Sequence, residues 1–386
     1  MNTLDMIGQL VAFNTVSSDS NLPVIEFIES YLDDLGIQSY RVPSDDGRKT
    51  NLYTSVGPER EGGVVLSGHT DVVPVEGQDW ESDPFKAVVR NGCLYGRGTC
   101  DMKGFIGTAL ALVPEMKHLT RPIHFALSYD EEVGCLGAPR MIEKISQNLP
   151  TPEAVIIGEP TEMTTVTGHK GIVTLKTNVR GYETHSSQTQ RGISAVMTAA
   201  KLVNYLDSMA QALAKETDSD TGFDPHHTTI HVGIIRGGTA INIVSRHCEF
   251  LWDIRNIPTD DPRALIDQFE RYCRDEILPA MRSRHSGCFI ETEVLSEAPS
   301  FTASDFPGLA LIQSLTGLSD CGQVSYVAEA GQFQAAGFPT VICGPGSIDQ
   351  AHQPNEFITR HKGTASLRQG KILNSCASST TQYQCY

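Results

Sequence analysis

The sequence predicts an α/β protein in which a small α+β unit interrupts a larger α/β domain with a mixed sheet. Three observations support this fold class. In the first part of the chain, short apolar runs bounded by Gly or Pro alternate with helical patterns. After Gly168 the pattern changes to apolar and polar residues in alternation, as in half-buried strands. Between Gly337 and Gly346 the chain returns to a buried apolar run.

The first part of the chain carries the elements of a layered α/β domain. Leu22 to Leu35 has apolar residues at helical spacing and ends before Gly36, so we predict an amphipathic helix with a glycine cap. The runs Val64 to Ser67, Ile123 to Ser128 and Ala154 to Ile157 are typical of buried strands. Helical patterns between these runs predict a mixed sheet with helices on both of its faces.

The middle of the chain predicts a different architecture. Its patterns follow the order strand, helix, strand, strand, helix, strand, which is typical of a ferredoxin-like α+β sandwich. The segments are Ile172 to Val179, Ala195 to Ala214, His227 to Ile235, Glu249 to Ile254, Arg263 to Met281 and Cys288 to Leu295. We expect the α/β domain to span 1–175 and 289–360, the inserted unit 176–288, and an atypical tail 361–386.

Length and charge limit the functions that the chain can have. At 386 residues it exceeds what one hydrophobic core usually supports. The formal net charge of -16 argues against binding to nucleic acid or to a membrane surface, which requires basic patches. The chain shows no basic leader, no stretch of about 18 apolar residues and no CxxC pair among its cysteines. We therefore expect a cytoplasmic protein that acts on a small molecule.

Histidine and carboxylate side chains recur where the predicted strands end. The carboxyl ends of strands in an α/β sheet gather at one edge, so residues far apart in sequence meet there. Imidazole nitrogen and carboxylate oxygen suit Zn²⁺, and the carboxylates also suit Co²⁺ or Mn²⁺. Capping or loop hydrogen bonds explain any one of these residues alone, but their coincidence favours a metal site. The candidates are His69, Asp71, Asp101, Glu131, Glu132, Glu159 and His352.

Two pairs within this set suggest different roles. A ligating imidazole usually donates its other N–H to a carboxylate, so Asp71 is a candidate partner of His69, with capping of a turn as the alternative. The adjacent Glu131 and Glu132 repel each other in a dry pocket unless a metal binds one while the other shares a proton with water. A solvated acidic turn is the alternative for this second pair. We expect one ligand and one base.

Five motifs follow one another along the chain: Ser67–Pro74, Gly96–Gly104, Asp130–Gly134, Gly158–Pro160 and His352–Glu356. At these motifs the chain resembles the co-catalytic zinc metallopeptidase family. Members of that family include N-acyl amino acid deacetylases, desuccinylases, aminoacylases and glutamate carboxypeptidases. The order and spacing of the motifs match over nearly the whole chain, up to about residue 360.

The resemblance implies a metal-dependent amide hydrolase with two Zn²⁺ ions, for which Co²⁺ can substitute. It implies that His69, Asp101 and Glu159 hold one ion. Asp101, Glu132 and His352 hold the other, with Asp101 bridging the two. The sequence therefore predicts a complete set of ligands for two ions.

The resemblance also implies catalytic roles outside the ligand set. Glu131 is the expected general base, which takes the proton of a metal-activated water and returns it to the leaving amine. Asp71 is expected to support catalysis as the hydrogen-bond partner of the metal ligand His69. The inserted unit of the family commonly forms a homodimer and supplies a histidine to an active site, and His185 is the matching residue here. We expect it to stabilise the oxyanion as part of a lid.

The substrate is suggested by two further segments. Tyr326–Gln334 and Cys343–His352 look most like the family members that hydrolyse N2-acetyl-L-ornithine to L-ornithine and acetate in arginine biosynthesis. We expect Glu329 to bind the side-chain ammonium of the substrate, and Arg255 or Lys170 to bind its carboxylate. A structural salt bridge is the alternative for Arg255, which lies at the end of a predicted strand. Asn242 resembles a lid residue near the substrate.

Other interpretations stay open at different levels. Another N-acyl-amino-acid amidohydrolase or dipeptidase of the same family shares every metal motif and differs only in its substrate pocket. A catalytically inactive metal-binding or scaffold protein is disfavoured by the intact Glu131 beside a complete ligand set. Nucleotide binding is excluded, since the motif at Gly96 lacks a third glycine and carries the acidic Asp101. The polar tail from His361 to Tyr386 departs from the amphipathic helix that usually closes the family fold, and is either disordered or diverged.

Overall fold

The structure is a computed structural model that describes residues 1–217, 221–303, 309–310, 312–313 and 321–359. The chain divides into two compact units. The domain limits expected from the sequence remain a prediction, and the atypical tail 361–386 lies outside the described residues. The first unit comprises Met1–Thr167, Thr302–Gly322 and Ala328–Tyr386, and the second Gly168–Phe301 and Gln323–Val327.

Helices and strands are numbered in chain order through the described residues. The helices are α1 Thr3–Val11, α2 Leu22–Asp33, α3 Lys103–Leu112, α4 Ala138–Asn148, α5 Ala195–Glu216, α6 Pro262–Tyr272, α7 Leu278–Arg282 and α8 Ala330–Ala335. The strands are β1 Ser39–Pro43, β2 Thr50–Val56, β3 Val64–His69, β4 Val88–Arg90, β5 Cys93–Tyr95, β6 Ile123–Ser128, β7 Ala154–Ile157, β8 Thr165–His169, β9 Ile172–Arg180, β10 Thr184–His185, β11 Thr229–Gly237, β12 Ile243–Val244, β13 His247–Arg255, β14 Phe289–Ala298, β15 Phe301–Thr302, β16 Cys321–Val324, β17 Thr340–Ile342 and β18 Phe357–Thr359. Short 3₁₀ segments lie at Val113–Glu115, Ser186–Arg191 and Ile348–Gln350.

The first unit is built on a mixed sheet. Its strand order runs β1-β2-β6-β3-β7-β17-β8. The central strand β3 is parallel to both β6 and β7, while β2 is antiparallel to β6. Every residue of β3 is buried, as a continuous apolar run predicts for a strand that is covered on both faces. A second, three-stranded sheet in this unit has the order β18-β5-β4.

Helices cover both faces of the mixed sheet, as the sequence predicts. Helix α2 buries Ile25, Ile28 and Leu32 at helical spacing, and these side chains join a core with Leu66 of β3. Helices α1 and α3 contribute to the same core. The buried residues of α4 are outside that core, and α4 contacts β2, β6 and α8 instead. The predicted end of α2 is also correct to within two residues, and Gly36 follows it with a φ of 74°.

The second unit has the ferredoxin-like α+β arrangement expected from the sequence. Its four-stranded antiparallel sheet has the order β11-β13-β9-β14. Strand β9 buries alternate residues, which is the pattern of a sheet with one covered face. Helices α5 and α6 bury Leu202, Leu206 and Phe269 against Phe250 and Trp252 of β13.

One predicted helix of the second unit is divided in the structure. The sequence predicts a continuous helix over Arg263 to Met281, whereas α6 and α7 are separated by a π-helical turn over Cys273–Ile277. Pro279 explains the change, because it has no N–H to donate and its ring crowds the carbonyl of Asp275 four residues earlier. A wider turn relieves that contact without ending the helical path.

Two structural findings concern membrane-spanning helices and the state of the cysteines. No helix within the described residues has both the length and the apolar composition to cross a bilayer. The cysteines of the described residues are all free thiols.

We expect His124 to lower the stability of the first unit in acid. Its buried imidazole has Nδ1 2.6 Å from Ser55 Oγ, and burial lowers the pKa of His124 to about 4. The unfolded chain binds a proton at His124 below about pH 6.5, whereas the folded unit does not bind it until about pH 4. The free energy of unfolding therefore decreases as the pH is lowered from about 6.5 to about 4. At pH 5 the expected loss is about 2 kcal/mol.

Urea unfolding at pH 7 and pH 5 measures this contribution. His124→Gln should make the decrease in the free energy of unfolding about 2 kcal/mol smaller than in the wild type. His118→Gln, at an exposed histidine, is the matched control and should keep the wild-type decrease. An equal decrease in the wild type and His124→Gln contradicts the prediction.

Candidate metal centre

The candidate ligands converge because parallel strands end at the same edge of the sheet. His69 is the last residue of β3, and Glu131 and Glu159 follow the ends of β6 and β7 by a few residues. Strand β3 lies between these two strands and is parallel to both. Asp101 immediately precedes the turn into α3, and His352 lies in the loop before β18.

Asp101 lies at the centre of the ligand cluster. Its Oδ1 is 2.9 Å from Nε2 of His69, and its Oδ2 is 3.4 Å from Nε2 of His352. His69 Nε2 is also 3.9 Å from Glu159 Oε1, and His352 Nε2 is 2.9 Å from Glu132 Oε2. The two oxygens of one carboxylate therefore face two separate groups of side chains.

Glu131 lies close to the first of these groups. Ligand atoms of His69, Glu131 and Glu159 all lie within 4.8 Å of one another. Ligand atoms of His69, Asp101 and Glu132 satisfy the same limit. Distance alone therefore admits Glu131 as a ligand as well as a base.

The cluster strongly perturbs its own titration. Burial raises the pKa of Glu159 well above its usual range, and the charge of Asp101 raises it further. Burial likewise raises the pKa of Glu131, with His69 opposing and Glu132 adding to the shift. Hydrogen bonds to Asp101 and Glu132 raise the pKa of His352 to about 10. The site therefore favours any additional positive charge, whether a proton or a metal ion.

Asp71 supports the cluster in a different way from the one expected. His69 Nδ1 donates to the backbone carbonyl of Asp71 at 2.9 Å, whereas the carboxylate Oδ1 is 3.6 Å away. The carboxylate instead accepts hydrogen bonds from the backbone amides of Glu131 and Glu132, at 3.2 and 3.3 Å, and from Ser17 Oγ at 2.7 Å. A carbonyl only accepts, so Nδ1 carries the proton and Nε2 is free to bind a metal.

Glu131 has a hydrogen-bond partner that the sequence did not suggest. The buried Cys135 thiol donates to Glu131 Oε1 at a distance of 3.3 Å. Both residues belong to the tight turn after β6, in which the amides of Gly134 and Cys135 bind the carbonyl of Glu131. The turn orients the Glu131 carboxylate toward His69 and Glu159.

Glu356 is a second residue whose role the sequence did not indicate. Its carboxylate accepts hydrogen bonds from the backbone amides of Gly98, Cys100 and Asp101 at 2.7–3.0 Å, and from Arg97 Nη1 at 2.8 Å. Both charged side chains are 1% exposed. This interaction fixes the backbone of Asp101. The sequence signal for this pair is that Arg97 lies inside the motif Gly96–Gly104 and Glu356 inside the motif His352–Glu356.

Glu329 belongs to the first unit and is fully buried at the start of α8. Its Oε2 is 3.4 Å from Ser67 Oγ, while Oε1 has no hydrogen-bond partner among the described residues. Burial raises the pKa of Glu329 to about 7. Its charge also raises the pKa of Glu131.

The other four predicted site residues lie in the second unit. His185 is exposed, and its Nδ1 is 2.8 Å from Ser187 Oγ. Its strand β10 pairs with β12, and the carbonyl of Asn242 accepts a hydrogen bond from the backbone amide of Ser186. His185 and Asn242 are therefore neighbours. Lys170 Nζ donates to the carbonyl of His227 at 2.7 Å. Arg255 Nε is 3.9 Å from Asp253 Oδ1.

The family of the chain follows from comparison with known proteins. A family model described as peptidase family M20/M25/M40 matches residues 65–370. The chain belongs to this family. It is therefore an enzyme of the peptidase and amidohydrolase class, which confirms the resemblance seen at the five sequence motifs.

Individual M20 proteins extend the comparison. The chain is similar to the acetylornithine deacetylase of Pasteurella multocida strain Pm70, with 33% identity over 366 residues that cover 92% of this chain and 93% of that protein. An M20 metallo-carboxypeptidase from Sulfolobus solfataricus superposes with a TM-score of 0.75 at 17% identity, covering 96% and 98% of the two chains. A dinuclear metal binding M20 peptidase from Bacillus subtilis superposes at 0.65 and 14% identity, covering 97% and 96%. The two structures support the fold.

The side chains of this M20 protein fit divalent metal ions. The cluster offers imidazole nitrogens and carboxylate oxygens, the donor set typical of Zn²⁺ sites. His69 and His352 face different oxygens of Asp101, which matches one ion for each oxygen. Buried carboxylates of like charge repel one another, and a bound cation removes that repulsion. The assignment of individual residues as ligands remains a prediction.

We expect a divalent ion to stabilise the folded protein. An ion that binds only the folded state raises the free energy of unfolding by about 2.7 kcal/mol at 100 times its Kd. Urea unfolding of chelator-treated protein, with and without added Zn²⁺, measures this increase. Asp101→Asn should lose most of it, because Asp101 faces both groups of ligands, whereas the exposed Glu115→Gln should keep it. The same increase in Asp101→Asn as in the wild type contradicts the expected role of Asp101.

Proposed function

We propose that the protein hydrolyses N2-acetyl-L-ornithine to L-ornithine and acetate with two divalent ions, Zn²⁺ or Co²⁺. In this proposal His69, Asp101 and Glu159 hold one ion, and Asp101, Glu132 and His352 hold the other. The main support is that the two oxygens of Asp101 face the two histidines separately, at 2.9 and 3.4 Å. A bridging carboxylate requires this arrangement.

Glu131 is the proposed general acid and base. When bound, the two ions supply Lewis acidity that activates water and polarises the amide carbonyl. Glu131 takes the proton of the attacking water and delivers it to the leaving nitrogen. Burial raises the pKa of its carboxyl group, which makes the carboxylate a better proton acceptor than an exposed glutamate. Cys135 and the backbone turn hold that carboxylate in one orientation.

Asp71 acts through the residues it holds. Its carboxylate binds the backbone amides of Glu131 and Glu132 and thereby fixes the start of the turn that presents both glutamates. Its carbonyl fixes the tautomer of His69. We therefore propose that Asp71 is a positioning residue for the base and for two of the ligands.

The acyl amino acid is the finer part of the proposal. The 33% sequence identity to an acetylornithine deacetylase, in an alignment that covers 92% of the chain, supports N2-acetyl-L-ornithine as the substrate. Glu329 is the proposed partner of the side-chain ammonium, since it is a buried carboxylate with one oxygen unpaired among the described residues. Within the second unit, Arg255 and Lys170 are the proposed partners of the substrate carboxylate. Asn242 is a further proposed substrate contact.

Two proposals concern the second unit and the assembly. His185 is the proposed stabiliser of the oxyanion, because its imidazole is exposed and Ser187 holds Nδ1, which leaves Nε2 for substrate. We also propose a homodimer through this unit. The edge strand β11 carries the exposed side chains of Ile234 and Ile235, which supports an interface there. The cytoplasm is the proposed location of the enzyme.

Glu131→Gln tests the chemistry. We expect kcat for acetate release from N2-acetyl-L-ornithine to fall about 10²- to 10⁴-fold, because the variant cannot exchange a proton with water. Binding of two ions should persist in calorimetric titration, whereas loss of an ion would identify Glu131 as a ligand. Glu143→Gln, at an exposed helical position, is the matched control and should keep wild-type kcat. The wild type is compared on N-succinyl-diaminopimelate, N-acetylmethionine and dipeptides, and much faster hydrolysis of one of them would overturn the substrate.

Glu329→Gln tests recognition of the side chain. Loss of a hydrogen bond to a charged group costs about 1.5–3 kcal/mol, so kcat/KM for N2-acetyl-L-ornithine should fall about 10- to 100-fold. N-acetylnorvaline has no ammonium group, and kcat/KM for this substrate should change little. An equal loss on both substrates would show that Glu329 supports the fold or the metal site and does not recognise the ammonium.

A further inference from the structure

His352 differs from the other proposed ligands in how the fold supports it. Its side chain is 53% exposed, whereas that of His69 is 1% exposed. It lies in an irregular loop between the 3₁₀ segment Ile348–Gln350 and β18, with a φ of 62°. A non-glycine residue adopts this left-handed conformation only when its surroundings stabilise it. Contacts to the loop backbone therefore position the imidazole together with its own contacts to Glu132 and Asp101.

Gln78 provides the most direct of these contacts. Its Nε2 donates to the backbone carbonyl of His352 at 2.8 Å. Its Oε1 accepts from Arg97 Nη2 at 2.6 Å and from Trp80 Nε1 at 3.1 Å. Guanidinium and indole nitrogens only donate, so they determine which end of the Gln78 amide faces them. The NH₂ group is consequently the end that faces His352.

Arg97 anchors this amide to the interior of the first unit. The guanidinium is 1% exposed and binds Glu356 at 2.8 Å. Arg97 Nη1 also lies 3.3 Å from the carbonyl oxygen of Gln353. The central carbon of the guanidinium, Cζ, lies 5.1 Å from the centre of the Trp80 ring. The orientation of Gln78 is therefore fixed by a buried charged group on one side and an aromatic ring on the other.

In the described part of the chain, Gln78 contacts one group of ligands and not the other. Gln78 and Arg97 bind the loop that carries His352, and Trp80 binds Gln78. His69 is instead held within the central strand β3, and Glu159 follows the buried strand β7. Within the described residues, no hydrogen bond joins Gln78 to either of them.

We infer that Gln78, Trp80 and Arg97 form a clamp that positions His352 and sets the affinity of the ion bound by Asp101, Glu132 and His352. Gln78 makes no hydrogen bond to His69 or Glu159 over the residues that the structure describes, so the ion bound by His69, Asp101 and Glu159 does not depend on the Gln78 amide. The inference rests on the two-ion site of the proposed function. Gln78 is a positioning residue, since its contacts are to the His352 backbone, Trp80 and Arg97. It controls one metal position through the backbone of a ligand.

Gln78→Glu isolates this effect. The glutamate has the same shape and keeps an oxygen toward Arg97 and Trp80, but it places a second oxygen against the His352 carbonyl in place of the N–H donor. A carboxylate added near a cation site strengthens binding by charge alone. Loss of the hydrogen bond to His352 weakens it. The two explanations therefore predict opposite signs.

The experiment is calorimetric titration of Co²⁺ into metal-free full-length protein, with the visible absorption of bound Co²⁺ recorded in parallel. In Gln78→Glu we expect Kd for one ion to rise about 10- to 100-fold, the usual effect of losing a partner behind a ligand. Kd for the other ion should stay at its wild-type value, which also shows that the variant is folded. The absorption of the weakened ion should change, because its ligand geometry changes. Gln78→Leu, which adds no charge, should weaken the same ion.

Gln353→Glu is the matched control. It makes the same chemical change beside His352, at an exposed side chain without a hydrogen bond among the described residues, and should not weaken either ion. Tighter binding, unchanged binding, or equal weakening of both ions in Gln78→Glu would overturn the clamp. A wild-type protein that binds fewer than two ions would instead overturn the two-ion site, before any variant is compared.

Discussion

The burial of several carboxylates at one edge of a sheet is the constraint on which the rest of this structure depends. Asp101, Glu131 and Glu159 are each at most 9% exposed, all three lie close to His69, and Asp101 also lies close to His352. Like charges at this separation in a poorly solvated site cannot all remain ionised without positive partners. Histidines and backbone amides supply part of that charge, and the site fits divalent ions as a further source.

The fold meets this constraint with backbone groups wherever a carboxylate is not needed for metal. Asp71 and Glu356 both accept hydrogen bonds from consecutive main-chain amides, which stabilise their charge. Each of them then fixes a segment that carries ligands: Asp71 the turn of Glu131, and Glu356 the turn of Asp101. The supporting carboxylates therefore determine the geometry of the metal-facing ones, and the parallel strands β3, β6 and β7 determine their starting points.

The second unit has a hydrophobic core of its own. Trp252, Phe250 and Phe269 pack between one face of its sheet and two helices. The same unit brings His185 and Asn242 next to each other, where strand β10 pairs with β12. Their roles in catalysis and substrate binding remain proposals.

The sequence by itself determined the fold class, the ferredoxin-like order of the inserted unit and a set of candidate ligands. Periodicity and motif spacing are local properties, and ligands at the ends of parallel strands meet at one edge wherever such a sheet forms. Only the tertiary structure decided that His69 donates to a carbonyl, that Gln78 reaches His352, and that Asp101 divides its oxygens between two histidines. These contacts join residues up to 274 positions apart, and they depend on ångström-scale distances and side-chain directions that no sequence pattern encodes.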